Sequence, residues 1–275
     1  MSNITIIKGN LFTSQAQALV NTVNTVGVMG AGVALEFRLR YPDMNEKYVE
    51  LCKQKQIQIG KLWIYKAADR WIINFPTKED WKDDSKIEYL EKGLQKFVDT
   101  YKEKGITSVA FPVLGSRHGN IPENESIKVM ESYLSRIDIP VEIYRYDPDL
   151  PDDLYESLKN KFLSMSIEEI KEKAQIQKQY AEKLLKILGD DKIKNISSLT
   201  SVEGIGIRTL EKVFDYLFNR VKETKLDENK EKLLALAKKH LKPETLKSFE
   251  TYITKQKKIS KSLSKIFESI IRNEK

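Results

Sequence analysis

The chain of 275 residues has few of the side chains that build covalently or metal-held folds. It contains one cysteine and two histidines, so an intramolecular disulfide is impossible and a dedicated zinc site is not expected. The cysteine, Cys52, falls in a stretch predicted to be helical, where a buried neutral thiol is favoured over a nucleophile. The sequence predicts neither a metal nor a bound cofactor.

Long apolar runs are also missing. No stretch of 18 or more apolar residues occurs, so no transmembrane helix is predicted. The first eight residues lack the basic segment and long apolar segment of a signal peptide. With 40% hydrophobic and 32% charged residues, the composition is that of a globular protein, and we expect it in the cytoplasm, without a membrane partner.

A glycine-containing run near the start of the chain carries the first functional signal. The apolar residues from Ala16 to Val20 predict a short buried strand, and the run Asn21–Val33 predicts a loop in which Asn24 and the glycines face a ligand. The spacing of apolar residues predicts a helix over Ala34–Tyr41, stopped by Pro42. A glycine turn before a helix N-terminus suits a phosphate, although the run matches neither common nucleotide fingerprint.

A second unit of the same kind follows later. Ser108–Phe111 predicts a buried strand, Pro112–Asn120 a glycine-containing loop, and Asn124–Leu134 a helix. Two such units place their loops side by side at the carboxyl edge of a sheet. Two backbone loops facing each other suit a diphosphate that carries a sugar on each end.

These motifs resemble the macrodomain family, whose members bind ADP-ribose. The matching residues are Lys8–Phe12, Val20–Asn24, Gly27–Gly32 and Pro112–Gly115, and the resemblance covers about residues 1–147. It implies a three-layer α/β/α fold with a mixed sheet, Asn10 and Leu11 near the adenosine, and Asn24 at the distal ribose. The two phosphate loops would be formed by Gly30, Ala31, Gly32 and Val33, and by Gly115, Ser116, Arg117, His118, Gly119 and Asn120.

A further motif narrows the resemblance. Trp63–Tyr65 and Trp71–Pro76 predict a hairpin, and Asn74–Lys78 followed by Trp81 is similar to the branch that contains the DarG antitoxins. That branch implies a hydrolase that removes ADP-ribose from thymidine in single-stranded DNA, with Lys78 as the catalytic residue and Thr77 beside it. A lysine can attack the distal ribose as a nucleophile or stabilise charge electrostatically, and the sequence leaves both roles open.

The second loop departs from the branch and leaves other activities open. Related hydrolases often carry a carboxylate there, but none lies between Gly115 and Asn120, so Glu123 is the nearest acid–base candidate. Imidazole titrates near neutral pH, which makes His118 an acid–base candidate, but a surface residue or a hydrogen-bonding contact with the diphosphate is the favoured interpretation. The alternatives are a hydrolase of ADP-ribose on protein carboxylates or small esters, and a non-enzymatic ADP-ribose reader that needs the loops but not Lys78.

The chain changes character after about residue 150. Two prolines and four acids follow the strand Val141–Tyr146, which predicts a macrodomain over 1–150, a linker or closing helix over 151–164, and a smaller all-helical domain over 165–275. Residues 161–275 hold 26 Lys and Arg against 17 Asp and Glu, a net charge of +9, while the rest of the chain is at −2. Helices are predicted over Ile167–Leu188, Lys230–Leu241 and Thr245–Ile271.

Between those helices, Leu199–Phe214 resembles a helix-hairpin-helix motif. The resemblance implies that Gly204, Gly206, Arg208 and Lys212 contact a DNA phosphate, and a tight turn between two core helices is an equally good interpretation. DarG-like proteins pair the macrodomain with a C-terminal domain that holds the toxin. The predicted partners of 165–275 are therefore a cognate DarT-like toxin, DNA, or both.

Overall fold

The computed structural model describes residues 3–147, 149–150, 152–200 and 202–218, and seven further positions between 234 and 250. The chain divides into two compact units, of which the first ends at Phe214 and the second begins at Asp215. All contacts discussed below lie within the first unit. None of the helices in the described part is long and apolar enough to cross a membrane.

Six strands form one mixed sheet in the order β1-β6-β5-β2-β4-β3. Neighbouring strands are parallel except for the β3/β4 pair, which forms the predicted antiparallel hairpin. The mixed sheet predicted from the sequence is therefore confirmed. The strands are β1 (Ile4–Lys8), β2 (Ala18–Asn24), β3 (Trp63–Lys66), β4 (Trp71–Lys78), β5 (Val109–Pro112) and β6 (Val141–Arg145).

Four helices cover the two faces of the sheet and give the three predicted layers. On one face, Phe37 and Tyr48 pack with Leu19 of β2; on the other, Phe97 packs with Phe111 of β5. Burying these apolar faces is the main source of stability. The helices are α1 (Gly32–Arg40) and α2 (Pro42–Lys53) on the first face, and α3 (Ile87–Lys104) and α4 (Glu123–Leu134) on the second.

Two small details of sequence set how these helices begin and how closely they pack. Pro42 ends α1, as predicted, and occupies the first turn of α2, where its missing N–H costs nothing. Gly93 lets α3 approach the sheet, since a Cβ there would lie 2.2 Å from Phe75 Cζ. The helices thus hold the sheet whose carboxyl edge carries the candidate site.

The prediction that Asn21–Asn24 belong to a loop is wrong. β2 continues to Asn24, whose partner in β4 is Lys78, with an irregular register between Val23 and Asn24. Asn21 is fully buried and its Nδ2 donates to Asn74 Oδ1 on the neighbouring strand at 2.9 Å. Because the neighbouring strand supplies an acceptor for the Asn21 amide, the buried strand tolerates a polar residue that a single-strand pattern assigns to a loop.

After the sheet the chain is helical, as predicted, but the single helix expected over Ile167–Leu188 is two helices. They are separated by residues 174–177, with Gln175 at a φ of +52°. The apolar positions Ala174 and Ile176 are two residues apart, a spacing that no continuous helical face accommodates. The helices are α5 (Asp153–Leu163), α6 (Ile167–Lys173), α7 (Lys178–Leu188) and α8 (Ile196–Thr200). α5 lies where a linker or closing helix is predicted.

The predicted domain boundary near residues 150–165 stays a prediction, although helices α5 to α8 belong to the compact unit that ends at Phe214. Within that unit α8 packs against α1. The helices predicted over 230–241 and 245–271 lie outside the described residues, apart from the seven positions noted above.

Candidate active site

A cleft of about 970 Å³ opens at the carboxyl ends of β2, β4 and β5. Open α/β sheets bind their ligands at this edge, because the loops that follow parallel strands converge there. All fifteen residues predicted for the nucleotide and for catalysis line this cleft. They are Asn10, Leu11, Asn24, Gly30, Ala31, Gly32, Val33, Thr77, Lys78, Gly115, Ser116, Arg117, His118, Gly119 and Asn120.

The first loop, residues 25–31, is held by the side chain of Asn24. Asn24 Oδ1 accepts hydrogen bonds from the N–H groups of Val26 (3.1 Å) and Val28 (3.2 Å), and Nδ2 donates to Val28 O (2.6 Å). The Tyr48 hydroxyl donates to the Asn24 carbonyl oxygen (2.7 Å) and to Oδ1 (3.0 Å). Burial raises the pKa of Tyr48, so this donor stays protonated. Asn24 is thus a brace of the loop, and a contact with the distal ribose would use its second amide hydrogen.

The second loop, residues 115–120, is held from outside by the segment 78–86. Ser85 N donates to Gly119 O at 2.9 Å, and Asn120 Nδ2 donates to Asp84 Oδ1 at 2.6 Å. A Cβ at Gly119 would lie 2.4 Å from the carbonyl oxygen of Gly115, so only glycine fits there without a backbone shift. The shape of this loop therefore depends on residues some 35 positions earlier.

The two loops touch at His118. A Cβ on Gly32, at the start of α1, would lie 2.9 Å from His118 Cδ2, so the imidazole packs directly on that glycine. Gly32 has a φ of +56°, a conformation that also favours glycine. Burial, with smaller contributions from the charges of Arg117 and Lys78, lowers the pKa of His118, and the ring is therefore neutral at neutral pH.

Lys78 lies at the end of β4, between the two loops. Its side chain is half-buried, lines the cleft, and donates from Nζ to the carbonyl oxygen of His118. Because Lys78 pairs in register with Asn24 on β2, it faces the place where the first loop begins. A single cation thus stands where both loops meet.

The carboxylates of the site differ from those expected. The candidate Glu123 lines the cleft, but its Oε1 accepts from Arg145 Nε at 2.6 Å. Sequence reasoning missed Glu36, which lines the cleft from α1 and is only 7% exposed. Its signal was a charged residue inside an otherwise apolar helical stretch. Within the described ranges, no group of three or more His, Cys, Asp or Glu is placed to hold a metal.

Sequence reasoning also missed the wall at the Asn10 end of the cleft. Arg117 stacks on the Tyr146 ring at 4.0 Å, and the Tyr146 hydroxyl donates to Asn195 Oδ1 at 3.1 Å. Asn195 and Asp152 are buried, and both line the cleft. Their only local signal is that each caps a helix: Asp152 accepts from Leu154 N and Asn195 from Ser198 N. This wall comes from the chain beyond residue 145.

At the far end of this wall, Arg40 of α1 contacts both Phe12, near the start of the chain, and Asp152, just before α5. Its NH2 group lies 3.3 Å from Asp152 Oδ1, and its guanidinium stacks on Phe12 at 4.0 Å. Asn10 caps the short 3₁₀ turn Leu11–Thr13 by accepting from Phe12 N at 2.9 Å. The turn that begins at Asn10 is therefore linked through Phe12 and Arg40 to Asp152, the N-cap of α5.

The segment predicted to contact DNA lies outside the cleft. α8 is followed by a turn with Gly204 at a φ of +88° and by a helix that begins at residue 207. Lys212 Nζ donates to Gln175 O at 2.9 Å, and Glu211 pairs with Arg38 of α1 at 2.7 Å. The order of helix, glycine turn and helix is as expected, while DNA contact by Gly204, Gly206, Arg208 and Lys212 stays a prediction.

Comparison with known proteins agrees with this geometry. The family model described as "Macro domain" matches residues 20–130. A protein of Thermus aquaticus named DNA ADP-ribosyl glycohydrolase is 42% identical over 146 residues, which are 52% of this chain and 40% of that protein. The chain spans about two fifths of the length of the curated relatives that it matches.

Two solved structures are similar in fold and sequence. The macrodomain of Mycobacterium tuberculosis DarG is 39% identical, with a TM-score of 0.50, covering 51% of this chain and 96% of that one. The Thermosipho africanus DarTG in complex with ADP-ribose is 33% identical, with a TM-score of 0.52, covering 57% of this chain and 44% of that one.

Proposed function

The chain belongs to the macrodomain family, and from this we propose that it is a hydrolase that releases ADP-ribose from ADP-ribosylated thymidine in single-stranded DNA. Support comes from a 42% identical relative named DNA ADP-ribosyl glycohydrolase. Its partner would be the DNA ADP-ribosyl transferase whose modification it removes. A relative that is 35% identical is named as a fusion of such a transferase with a glycohydrolase.

In the proposed complex the two loops hold the diphosphate. Residues 30–33 and 115–120 line the cleft, where their backbone N–H groups would receive the phosphates, and the N-terminus of α1 adds its partial positive charge at Gly32. The adenosine lies toward Asn10 and Leu11, and the distal ribose toward Asn24, Thr77 and Lys78. Glycines at the close contacts leave room for the phosphates because they carry no side chain.

The reaction breaks the bond between the anomeric carbon of the distal ribose and a thymine nitrogen. Water supplies the hydroxyl on that carbon, and the nitrogen regains a proton, so free ADP-ribose and unmodified DNA result. Lys78 either attacks the ribose as a free amine, with water later displacing it, or stays charged and orients the sugar hydroxyls. Reduction by borohydride during turnover separates these roles, because only an imine adduct is trapped on Lys78.

The observation that carries the proposal is the position of Lys78. It is the cation at which the ends of β2 and β4 and both loops converge, and its Nζ already contacts the second loop at His118 O. A protein that only bound ADP-ribose would not need an amine at this position. Catalysis by a positioned side chain is worth about 10²- to 10⁴-fold.

The test uses a single-stranded oligonucleotide with one ADP-ribosylated thymidine, the full chain, and Lys78→Ala. We expect conversion to unmodified DNA by the wild type and at least about 100-fold slower conversion by the variant, with free ADP-ribose still bound. Lys96→Ala, at an exposed position on α3 away from the cleft, is the matched control. Binding without release by the wild type would leave a reader or a hydrolase of protein-linked ADP-ribose.

The hairpin at Gly204–Gly206 gives a separate proposal, that it anchors the enzyme on the DNA backbone. The N–H groups at the start of the helix that begins at residue 207, with Arg208, would receive a phosphate. Arg208→Glu in the full chain should then weaken binding of unmodified single-stranded DNA and lower its dependence on salt. Unchanged DNA affinity, together with salt-insensitive capture of the transferase, would assign this region to toxin binding instead.

A further inference from the structure

Beyond Lys78, two loops form an exposed apolar rim at the mouth of the cleft. Because β2 and β4 are adjacent and parallel, the loop after Asn24 and the segment after Lys78 leave the sheet side by side. Thr25 ties them together, since its N–H and its Oγ1 both donate to Glu79 O, at 3.1 and 2.9 Å. Val28 on one loop and Trp81 on the other both line the cleft.

Trp81 is held in place but is not covered. It is 53% exposed and Val28 is 37% exposed, which makes them two of the six exposed large apolar side chains of the described residues. The contact resolved for the indole is the Lys82 ammonium, 5.4 Å from the ring centroid. An exposed tryptophan beside a binding cleft indicates an interaction site, because exposing so large an apolar surface to water is unfavourable in free energy.

The turn that carries Trp81 is fixed by Asp80. Asp80 Oδ1 accepts from Lys82 N at 3.0 Å, and Asp80 O accepts from Asp83 N at 3.2 Å. The preceding residue, Glu79, is fixed by Thr25 and by the Tyr89 hydroxyl, 3.0 Å from its Oε2. The indole is therefore presented on a preorganised turn, which lowers the entropy lost on binding a ligand.

We propose that Trp81, with Val28 opposite, is the platform on which the ADP-ribosylated thymine base stacks during hydrolysis. This inference rests on the proposed function, since the base is bonded to the ribose that lies at Lys78. A base leaving the ribose on the side away from the diphosphate meets the rim formed by these two residues. Every base has an apolar π-face, which suits an indole better than a hydrogen-bonding pocket.

The segment that carries the indole holds charges of both signs. Lys82, beside the indole, and Lys78 line the cleft together with Asp84, and a phosphate next to the stacked base would lie on the side of the two lysines. ADP-ribose alone has no base at this end, and a protein carboxylate ester has no ring. Trp81 would therefore select for the DNA substrate while leaving the affinity for free ADP-ribose unchanged.

The experiment compares the full wild-type chain with Trp81→Ala and Trp81→Phe on two substrates. One is the ADP-ribosylated oligonucleotide and the other is the ADP-ribosylated thymidine nucleoside. We expect Trp81→Ala to lose about 5- to 100-fold in kcat/KM on both, mainly through KM, and Trp81→Phe to stay within about threefold. Leu163→Ala, at a 47% exposed position outside the cleft, is the matched control and should change neither.

Calorimetry of free ADP-ribose binding supplies the second readout. Equal affinity of Trp81→Ala and wild type is expected, and a parallel loss would overturn the platform by showing that Trp81 supports the cleft itself. Unchanged kcat/KM on DNA, or a loss confined to the oligonucleotide, would also overturn it while the hydrolase proposal stands. An inactive wild type on both substrates would instead refute the proposed function.

Discussion

The loop after β2 and the loop after β5 face each other across the cleft, but different parts of the chain hold them. The first loop is braced by its own leading residue, Asn24, with help from Tyr48 on α2. The second is closed by Ile121 N donating to Gly115 O at 3.0 Å and by Ser116 Oγ donating to Val113 O at 3.0 Å, and its other contacts go to Lys78, Asp84 and Ser85. The end of β4 and the segment after it thus contact the second loop through three residues and the first loop through Glu79 O alone, so the second loop depends more on the segment that carries the candidate catalytic lysine.

The different anchoring of the two loops matters for the proposed reaction. Lys78 Nζ can donate one hydrogen to His118 O and still meet a ribose with another hydrogen, or with its lone pair as a free amine. Because this bond joins Lys78 to the second loop, we expect substrate binding at Lys78 to affect the second loop more than the first. Four substitutions or titrations test this difference, beginning with the largest expected effect.

The largest effect should come from alanine at one glycine of each loop. At Gly119 the new Cβ would lie 2.4 Å from Gly115 O, whereas at Gly30 it would lie 3.5 Å from Val28 Cγ1, an ordinary contact. We expect Gly119→Ala to lower the free energy of unfolding by about 2 kcal/mol or more, and Gly30→Ala by less than about 0.5 kcal/mol. Denaturant unfolding measures both, and equal losses would contradict the account of the second loop.

Removing the Tyr48 hydroxyl should weaken the first loop alone. Tyr48→Phe leaves Asn24 without a buried donor, which should cost about 1 to 2 kcal/mol of unfolding free energy. ADP-ribose affinity should fall with it, because the loop loses its brace. Tyr180→Phe on α7 is the control, with a change below about 0.5 kcal/mol. Full stability of Tyr48→Phe would mean that Asn24 and the glycines set the shape of this loop without the Tyr48 hydroxyl.

A smaller effect is expected where the second loop meets Asp84. Asp84→Ala removes the acceptor for Asn120 Nδ2, an exposed contact that should be worth about 0.5 kcal/mol. ADP-ribose affinity should fall by no more than about threefold. The neighbouring Asp83→Ala serves as control because its structural contact is made by the backbone N–H. Isothermal titration calorimetry of the two variants checks the difference.

The smallest effect should appear in the dependence of stability on pH. Because the folded-state pKa of His118 lies below its ordinary value of 6.5, the unfolded chain binds this proton more readily. His118 thus contributes stability above that pH, and the contribution is lost as the pH falls through it. His118→Gln should flatten the stability curve between about pH 7.5 and about pH 5. An NMR titration placing the pKa at or above 6.5 would refute the partial desolvation of the ring where it packs on Gly32.

The difference between the two loops also explains which features of the fold can be predicted from the sequence. The first loop can be predicted from the sequence because Asn24, which braces it, and its glycines lie within a few residues of each other. Four ordered motifs indicate the family and predict the three layers. The sequence predicts that β2 ends at Val20, because the hydrogen-bond partner of Asn21 is Asn74, which only the folded sheet supplies. A single helix is predicted over Ile167–Leu188 because apolar residues continue on both sides of Gln175, where the helix is interrupted.

The site residues divide in the same way. Lys78 and the loop residues were found because they follow strands in a motif, and all of them line the cleft. Glu36, Tyr146, Asp152 and Asn195 were missed, since their access to the cleft arises from the packing of helices on the sheet. No local pattern distinguishes a helix cap such as Asp152 from one that also walls a cavity.

The wall formed by Tyr146, Asp152 and Asn195 bears on the speed of the enzyme. It closes the end of the cleft at which the adenosine of the product would lie, and it is tied to Arg117 of the second loop by the stack on Tyr146. In the proposed reaction, release of ADP-ribose requires its adenosine to separate from these residues. We expect the residence time of the product, rather than bond cleavage, to limit turnover.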